Sequence, residues 1–294
     1  MKKLIISLSA VFTVMMVIAL VACEKAIFDT DETVTDDSSG NLTVRVFQIE
    51  QTPFGSLTRT AASEACTRLN FLIYNTDGSR VKMVNQISSD KNFGTASFQL
   101  DEGDYQLVVV GHSSNGNPTS TNPQKISFTN AQGYTDTFLS SGDITIEAED
   151  PLEVDVTLDR IVALCRFCLT DDIPADVHKM QFYYTGGSGA FNAYTGLGSV
   201  NSKQTVTFDV SDGSQKQFDL YTFLHELSDN IALKVSALDA SGNVLYERDF
   251  DVPMTQNQIT WLSGTFFNGS GSSSTTVTGV TVNTDWAGET HITF

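Results

Sequence analysis

Residues 67–84 read TRLNFLIYNTDGSRVKMV. The stretch is a β-rich run, an Asp77-Gly78 pair and a second alternating run. Asp-Gly supplies the positive φ that a tight hairpin needs, so these residues predict two antiparallel strands joined by a short turn. The pattern returns at residues 96–112, ASFQLDEGDYQLVVVGH, with Gly103 at the turn. There Tyr105, Leu107 and Val109 share one face, expected to look into a core, while Gln106 is expected to face solvent. Upstream, NLTVRVFQI (41–49) places Leu42, Val44 and Val46 on one face and Thr43, Arg45 and Phe47 on the other.

The second half of the chain repeats the period of two. NIALKVSALDASGNVLYERDFDV (230–252) is a strand, a turn through Ser241-Gly242-Asn243, and a strand. STTVTGVTVNTDW and ETHITF read as closing strands, and only LYTFLHELSD and DDIPADVHKM suggest short helical turns. Short strands at regular spacing predict an all-β chain of β-sandwiches. The expected boundary falls near residue 159, giving a sandwich over 41–158 and another over 159–294 with no Pro/Gly-rich linker between them. Residues 184–202, YTGGSGAFNAYTGLGSVNS, read as a long Gly-rich loop, and 268–276, NGSGSSSTT, as a flexible connection.

The chain opens Met-Lys-Lys, and residues 4–22 are almost all apolar or small. This is the pattern of a secretory leader. Leu20-Val21-Ala22-Cys23 resembles the bacterial lipobox, in which the Cys thiol takes a diacylglyceryl group before the peptide is cut ahead of it. Residues 1–22 are therefore expected to be a lipoprotein signal peptide and Cys23 the lipidated residue. A transmembrane helix would call for a basic flank, whereas Asp29, Asp31, Glu32, Asp36 and Asp37 follow. Residues 23–40 read as an acidic tether with few apolar groups to offset ordering entropy.

The formal net charge is −18. A surface this acidic repels phosphate backbones, so nucleic acid is not an expected partner. Beyond Cys23 the cysteines are Cys66, Cys165 and Cys168, an odd number that excludes a complete disulfide framework. Cys165-Arg166-Phe167-Cys168 has redox spacing but lies in a strand-like run, where residues three apart point to opposite faces. With no second CxxC, it reads as buried small hydrophobes, and no metal or other cofactor is expected.

No arrangement for catalysis emerges. Gly186-Gly187-Ser188-Gly189-Ala190 falls one glycine short of a nucleophile elbow, and no helix pattern follows it. His112, His178, His225 and His291 are scattered, and His225-Glu226 lacks the second His of a zinc helix. The pairs Asp101-Glu102 and Asp171-Asp172 sit at turns. The chain is not expected to be an enzyme.

LTRTAASEACTRLNFLIYNTDGSRV, FGTASFQLDEGDYQLVVVGHSS, TDTFLS and LDRIVALCRFCLTDDIPADVHKMQFYYTG, in this order behind a lipobox, resemble the fimbrillin superfamily of Bacteroidetes, the type V fimbriae, and most of all its FimB-like anchor and accessory subunits. The resemblance covers roughly residues 40–200 and implies two transthyretin-like β-sandwich domains. It also implies a lipid-anchored subunit that attaches or nucleates a fimbria at the outer membrane. Its partners would be other fimbrial subunits, engaged by β-strand addition, and a host protein or glycan is a further partner class. In the stalk subunits of this family a protease cuts after an Arg behind the first strand, freeing a slot that a neighbour's strand fills. Here Arg59, in GSLTRTAASE, occupies that place, and Leu42, Val44 and Val46 belong to the strand that would be released. An uncut chain fits an anchor whose first strand fills its own sheet edge; a chain cut at Arg59 fits a polymerising stalk or tip subunit. A surface glycan-binding lipoprotein is the alternative from another class, with Tyr183, Tyr184, Phe191 and Tyr194 as its aromatic platform.

Overall fold

The computed structural model describes residues 40–50, 65–129, 134–148, 150–268, 276–277 and 287–294. Contacts divide the chain into Met1–Asp31 and Glu32–Phe294, and all the described residues belong to the second unit. Cys23 and Arg59 lie outside the described residues. The structure is built of strands, as the period of two predicts.

The first eight strands are β1 (Leu42–Glu50), β2 (Arg68–Asn75), β3 (Arg80–Ile87), β4 (Thr95–Phe98), β5 (Gly103–His112), β6 (Ile126–Ser127), β7 (Thr137–Ile146) and β8 (Leu152–Arg160). All except β6 join one sheet in the order β3-β2-β5-β7-β8-β1-β4. The β2–β3 hairpin turns at Gly78, whose φ is +84°. Only two register pairs, Phe138↔Arg160 and Leu139↔Asp159, join β7 to β8. At that seam the sheet folds over on itself. Leu69, Phe71, Leu107 and Val109 then meet Leu42, Val44 and Leu158 in one buried cluster, which makes the first sandwich.

The remaining strands are β9 (Ala163–Leu169), β10 (Lys179–Gly187), β11 (Ala190–Phe191), β12 (Ser202–Asp209), β13 (Gln217–Thr222), β14 (Ser228–Leu238), β15 (Val244–Thr255), β16 (Ile259–Gly264), β17 (Thr276–Val277) and β18 (Glu289–Thr293). All except β11 form a sheet β12-β10-β14-β15 facing a sheet β13-β9-β16-β18-β17. Phe167, Phe182, Phe218, Leu233, Val252 and Leu262 belong to the core they share. Phe167 alone lies within 5.1–6.5 Å, centroid to centroid, of Phe182, Phe218, Phe250, Phe266 and Phe294. The two stretches with helical hints form no helix. LYTFLHELSD continues β13 and then turns, and DDIPADVHKM is a turn held by Val177 N–H on Pro174 O (3.0 Å). Behind that turn Asp171 accepts the backbone N–H groups of Phe266, Phe267 and Asn268 at 3.0, 2.7 and 3.0 Å.

A third cluster joins the two sandwiches. Leu72, Tyr74, Val108 and Val110, on the outer face of β2 and β5, pack against Ile161, Val162, Leu164, Phe223 and Ile259. This overturns the expectation that Gln106 faces solvent: it is only 9% exposed. The outer face of β5 passes under the second sandwich at Val108 and Val110, and Gln106 lies at the rim of that cover with little surface left open. The Gly-rich stretch is also more than a loop. β10 runs on to Gly187, and β11 pairs with β6 across the junction through Ala190↔Ser127 and Phe191↔Ile126. A Cβ on Gly189 would stand 2.2 Å from the Tyr134 hydroxyl, so only glycine lets the arm lie this close to the first sandwich.

Candidate functional site

The site the sequence points to is the seat of β1. The strand lies between two neighbours, not at a sheet edge as expected: it runs parallel to β8 from Leu42↔Leu152 to Glu50↔Asp159 and antiparallel to β4 from Leu42↔Phe98 to Arg45↔Thr95. Beyond Arg45, Val46 N–H still reaches Gly94 O at 2.8 Å. Strict alternation holds at the start. Leu42 and Val44 are fully buried in the first core, and Thr43 and Arg45 look outward. Then the register shifts between Val46 and Gln48. Phe47 is left 56% exposed and Ile49 returns to the core fully buried. Val46 packs against the core, only partly buried. One extra residue in a strand does this, and the alternation in NLTVRVFQI gave no signal of it.

Polar contacts pin the strand's entry. Asn41 Nδ2 donates to Leu100 O (2.8 Å) while Leu100 N–H donates to Asn41 Oδ1 (2.9 Å). On the outer face Arg45 reaches two carboxylates of β8, Glu153 and Asp155, the latter at 3.1 Å. Each is an exposed pair, which counts for little in stability and more in fixing register. β1 is thus a covered central strand whose removal would separate β8 from β4 and open the core between them.

Residues 35–291 match the family of fimbrillin-A associated anchor proteins Mfa1 and Mfa2. The chain belongs to this family. Like the family's other fimbrial proteins, this member is a fimbrial subunit, with a role in pilus assembly and adhesion. Such proteins are structural and not enzymes. Solved structures similar to this family member include the fimbrial anchor protein Mfa2 from Porphyromonas gingivalis, 11% identical with a TM-score of 0.44 over 71% of this chain and 81% of that one. A fimbrial assembly protein from Parabacteroides distasonis is 12% identical, with a TM-score of 0.39 over 76% of this chain and 89% of that one. The C-terminally truncated tip fimbrial protein Mfa3 from Porphyromonas gingivalis is 12% identical, with a TM-score of 0.36 over 72% and 80%. No curated protein matches the chain.

The other sequence candidates fall into place as structure. Ser188 is fully buried, and its hydroxyl accepts the Ala190 and Val200 amides at 3.2 and 3.1 Å, so it braces the arm. Cys165 is buried in the second core and burial pushes its thiol pKa up, while Cys168 is half-buried. Burial likewise raises the Cys66 thiol to about 12. Among the described residues no group of three or more His, Cys, Asp or Glu could hold a metal ion. Of the four aromatics considered as a platform, Tyr184 and Phe191 are fully buried and Tyr194 is 45% exposed.

One polar centre carried no sequence signal. His112, fully buried on β5, donates through Nε2 to Asn70 Oδ1 (2.9 Å) and accepts Ser114 N–H on Nδ1 (3.1 Å). Asn70 in turn donates to Asn85 and Asn117 at 2.7 and 3.1 Å. The ring also meets Phe128 edge-on at 4.9 Å, and Phe128 stacks with Phe223 at 6.1 Å across the junction. Burial, and after it the positive charge of Arg68, push the His112 pKa down to about 3. The ring is therefore neutral, and serves as a hydrogen-bonded wedge beneath the joint of the two sandwiches.

Proposed function

We propose that this fimbrial subunit is the membrane-fastened base of its fibre. Cys23 carries the lipid, residues 23–40 span from the outer membrane to the first sandwich, and the chain keeps its own β1. The match to an anchor family over residues 35–291 carries this reading. The covered position of β1 supports it, because a strand paired on both sides leaves no slot for a neighbour's strand there. Other fimbrial subunits would then be met elsewhere on the two sandwiches. Mass spectrometry of the N-terminus of protein taken from intact fimbriae tests the proposal. An acylated Cys23 is expected, and a dominant species beginning at Thr60 would replace the anchor with a stalk or tip subunit matured at Arg59.

A further inference from the structure

Where the outer face of β5 and β7 emerges from under the second sandwich, it forms the floor of an open groove of about 720 Å³. Thr76, Asp104, Gln106, Ser141, Asp143 and Tyr194 are among its lining residues. The ladder explains the grouping. Gln106 stands opposite Asp143 and Asp104 opposite Thr145, so these side chains share one face. Among the described residues no Lys, Arg or His lines the groove.

The charge of the groove is one-sided. Gln106 is nine-tenths buried, and one of its two Nε2–H groups donates to Ser141 Oγ at 3.3 Å. Its Oε1 takes no hydrogen bond from the described residues. Asp104 accepts only the Thr145 hydroxyl, at 2.7 Å, and so keeps acceptor capacity to spare. Asp143 is exposed and pairs with no cation among the described residues. The open groups thus include three acceptors, the Gln106 Oε1 and two carboxylates, and the charge among them is all negative.

Over this floor stands Tyr194 on a rigid turn. Asn192 O accepts the amides of Thr195 and Gly196 (3.2 and 2.8 Å), and Asn192 Oδ1 accepts that of Tyr194 (2.9 Å). Gln256 Nε2 donates to Gly196 O at 2.9 Å, and Ala193 N–H to Pro123 O at 2.8 Å, which ties the turn to both sandwiches. The backbone that carries the ring is therefore fixed before any ligand arrives.

We propose that this groove binds a basic side chain, an arginine guanidinium or lysine ammonium, presented by a partner protein. Such a group brings several N–H donors, positive charge and a flat or compact face for an aromatic ring. An anion would be repelled by Asp104 and Asp143. A neutral saccharide would draw nothing from the charge of the two carboxylates, and the titration below sets it against the cation. The site goes beyond the anchor reading and stands whether or not Cys23 carries lipid.

The test is calorimetric titration of the purified full-length protein with the peptide acetyl-Gly-Arg-Arg-Gly-amide, its citrulline counterpart, and neutral oligosaccharides. The arginine peptide should bind, and the citrulline peptide and the sugars should not. Asp143→Asn and Tyr194→Ala should each weaken binding about two- to fivefold, the scale of one exposed cation–π or ion-pair contact. Tyr194→Phe should retain it. Asp172→Asn, an equal charge change on an almost fully exposed carboxylate elsewhere, should leave it unchanged. Equal binding of the citrulline peptide, binding of a neutral sugar in its place, or equal weakening by Asp172→Asn would overturn the proposal. Asp143 and Tyr194 are exposed, so folding of both variants, checked by circular dichroism, is not at stake.

Discussion

Acid should loosen the joint between the sandwiches through His112. Its folded pKa of about 3 lies well below the ordinary value of about 6.5. The unfolded chain therefore binds the proton first. The contribution of neutral His112 is fully present above about pH 6.5 and is lost as pH falls from there toward about 3. Between about pH 7 and about pH 4.5 the loss amounts to about 2–3 kcal/mol. Carboxylates common to the native chain and a His112 variant cancel when the two are compared. The charge would arise against Arg68, the hydrogen-bonded Asn70 and Ser114, and the apolar Phe128. The assay is urea unfolding at both pH values for the native chain and for His112→Gln, whose amide keeps a donor near Nε2 but does not titrate. The native chain should lose about 2–3 kcal/mol and the variant under half of that. The same pH dependence in both proteins would refute the assignment.

Four further outcomes follow from the packing. Leu107→Ala, in the first core at 3% exposure, should cost about 2–5 kcal/mol in denaturant melts, whereas Leu227→Ala at 65% exposure should stay within about 0.5. Asp136→Asn should cost about 3 kcal/mol in the same melts, because it strips the charge that Arg160, with a side chain 3% exposed, meets at 2.7 and 2.8 Å. Gln204 is fully buried with neither amide atom hydrogen-bonded, so Gln204→Met should raise stability by about 1 kcal/mol; a loss would mean the amide is satisfied. A chain cut after Arg59 should run as two pieces on a denaturing gel yet elute as one particle under native conditions, and spontaneous release of the piece carrying β1 would contradict the seat described for it.

The hairpins were readable because their information is local. Asp77-Gly78 fixes its own turn, and the alternation around it fixes which residues share a face. Periodicity does not say which faces are covered. Alternation therefore points Gln106 to solvent, although the second sandwich covers the same face two residues further on. The signal was present in the unbroken run Leu107-Val108-Val109-Val110, the composition of a strand covered on both faces. The parallel pairing of β1 with β8 had no local trace, since Arg45 and Asp155 are 110 residues apart. The arm at 184–202 looked like a loop because its glycines serve close approach to the first sandwich rather than freedom. The His112 network was hidden for a related reason: each polar residue sits alone in an apolar strand, and only the register brings His112 beside Asn70.

The energetics of β1 separate two events that a single cleavage would seem to combine. Leu42, Val44 and Ile49 are each fully buried, and together their burial supplies about 5–9 kcal/mol. That is comparable to the whole stability of an ordinary domain, about 5–15 kcal/mol. Cutting the chain behind β1 removes its tether to β2 but none of this burial, nor the hydrogen bonds to β8 and β4. An empty seat would also leave the facing edges of both neighbours unpaired. Breaking the covalent link is therefore insufficient to vacate the seat, and a replacement strand must supply the energy as it displaces the old one. That strand would need apolar residues in the places of Leu42 and Val44, one extra residue in the place of Phe47, and a third apolar residue where Ile49 re-enters the core. The bulge makes this a demanding pattern, since a strand of strict alternation that fits the first half puts the wrong face inward in the second.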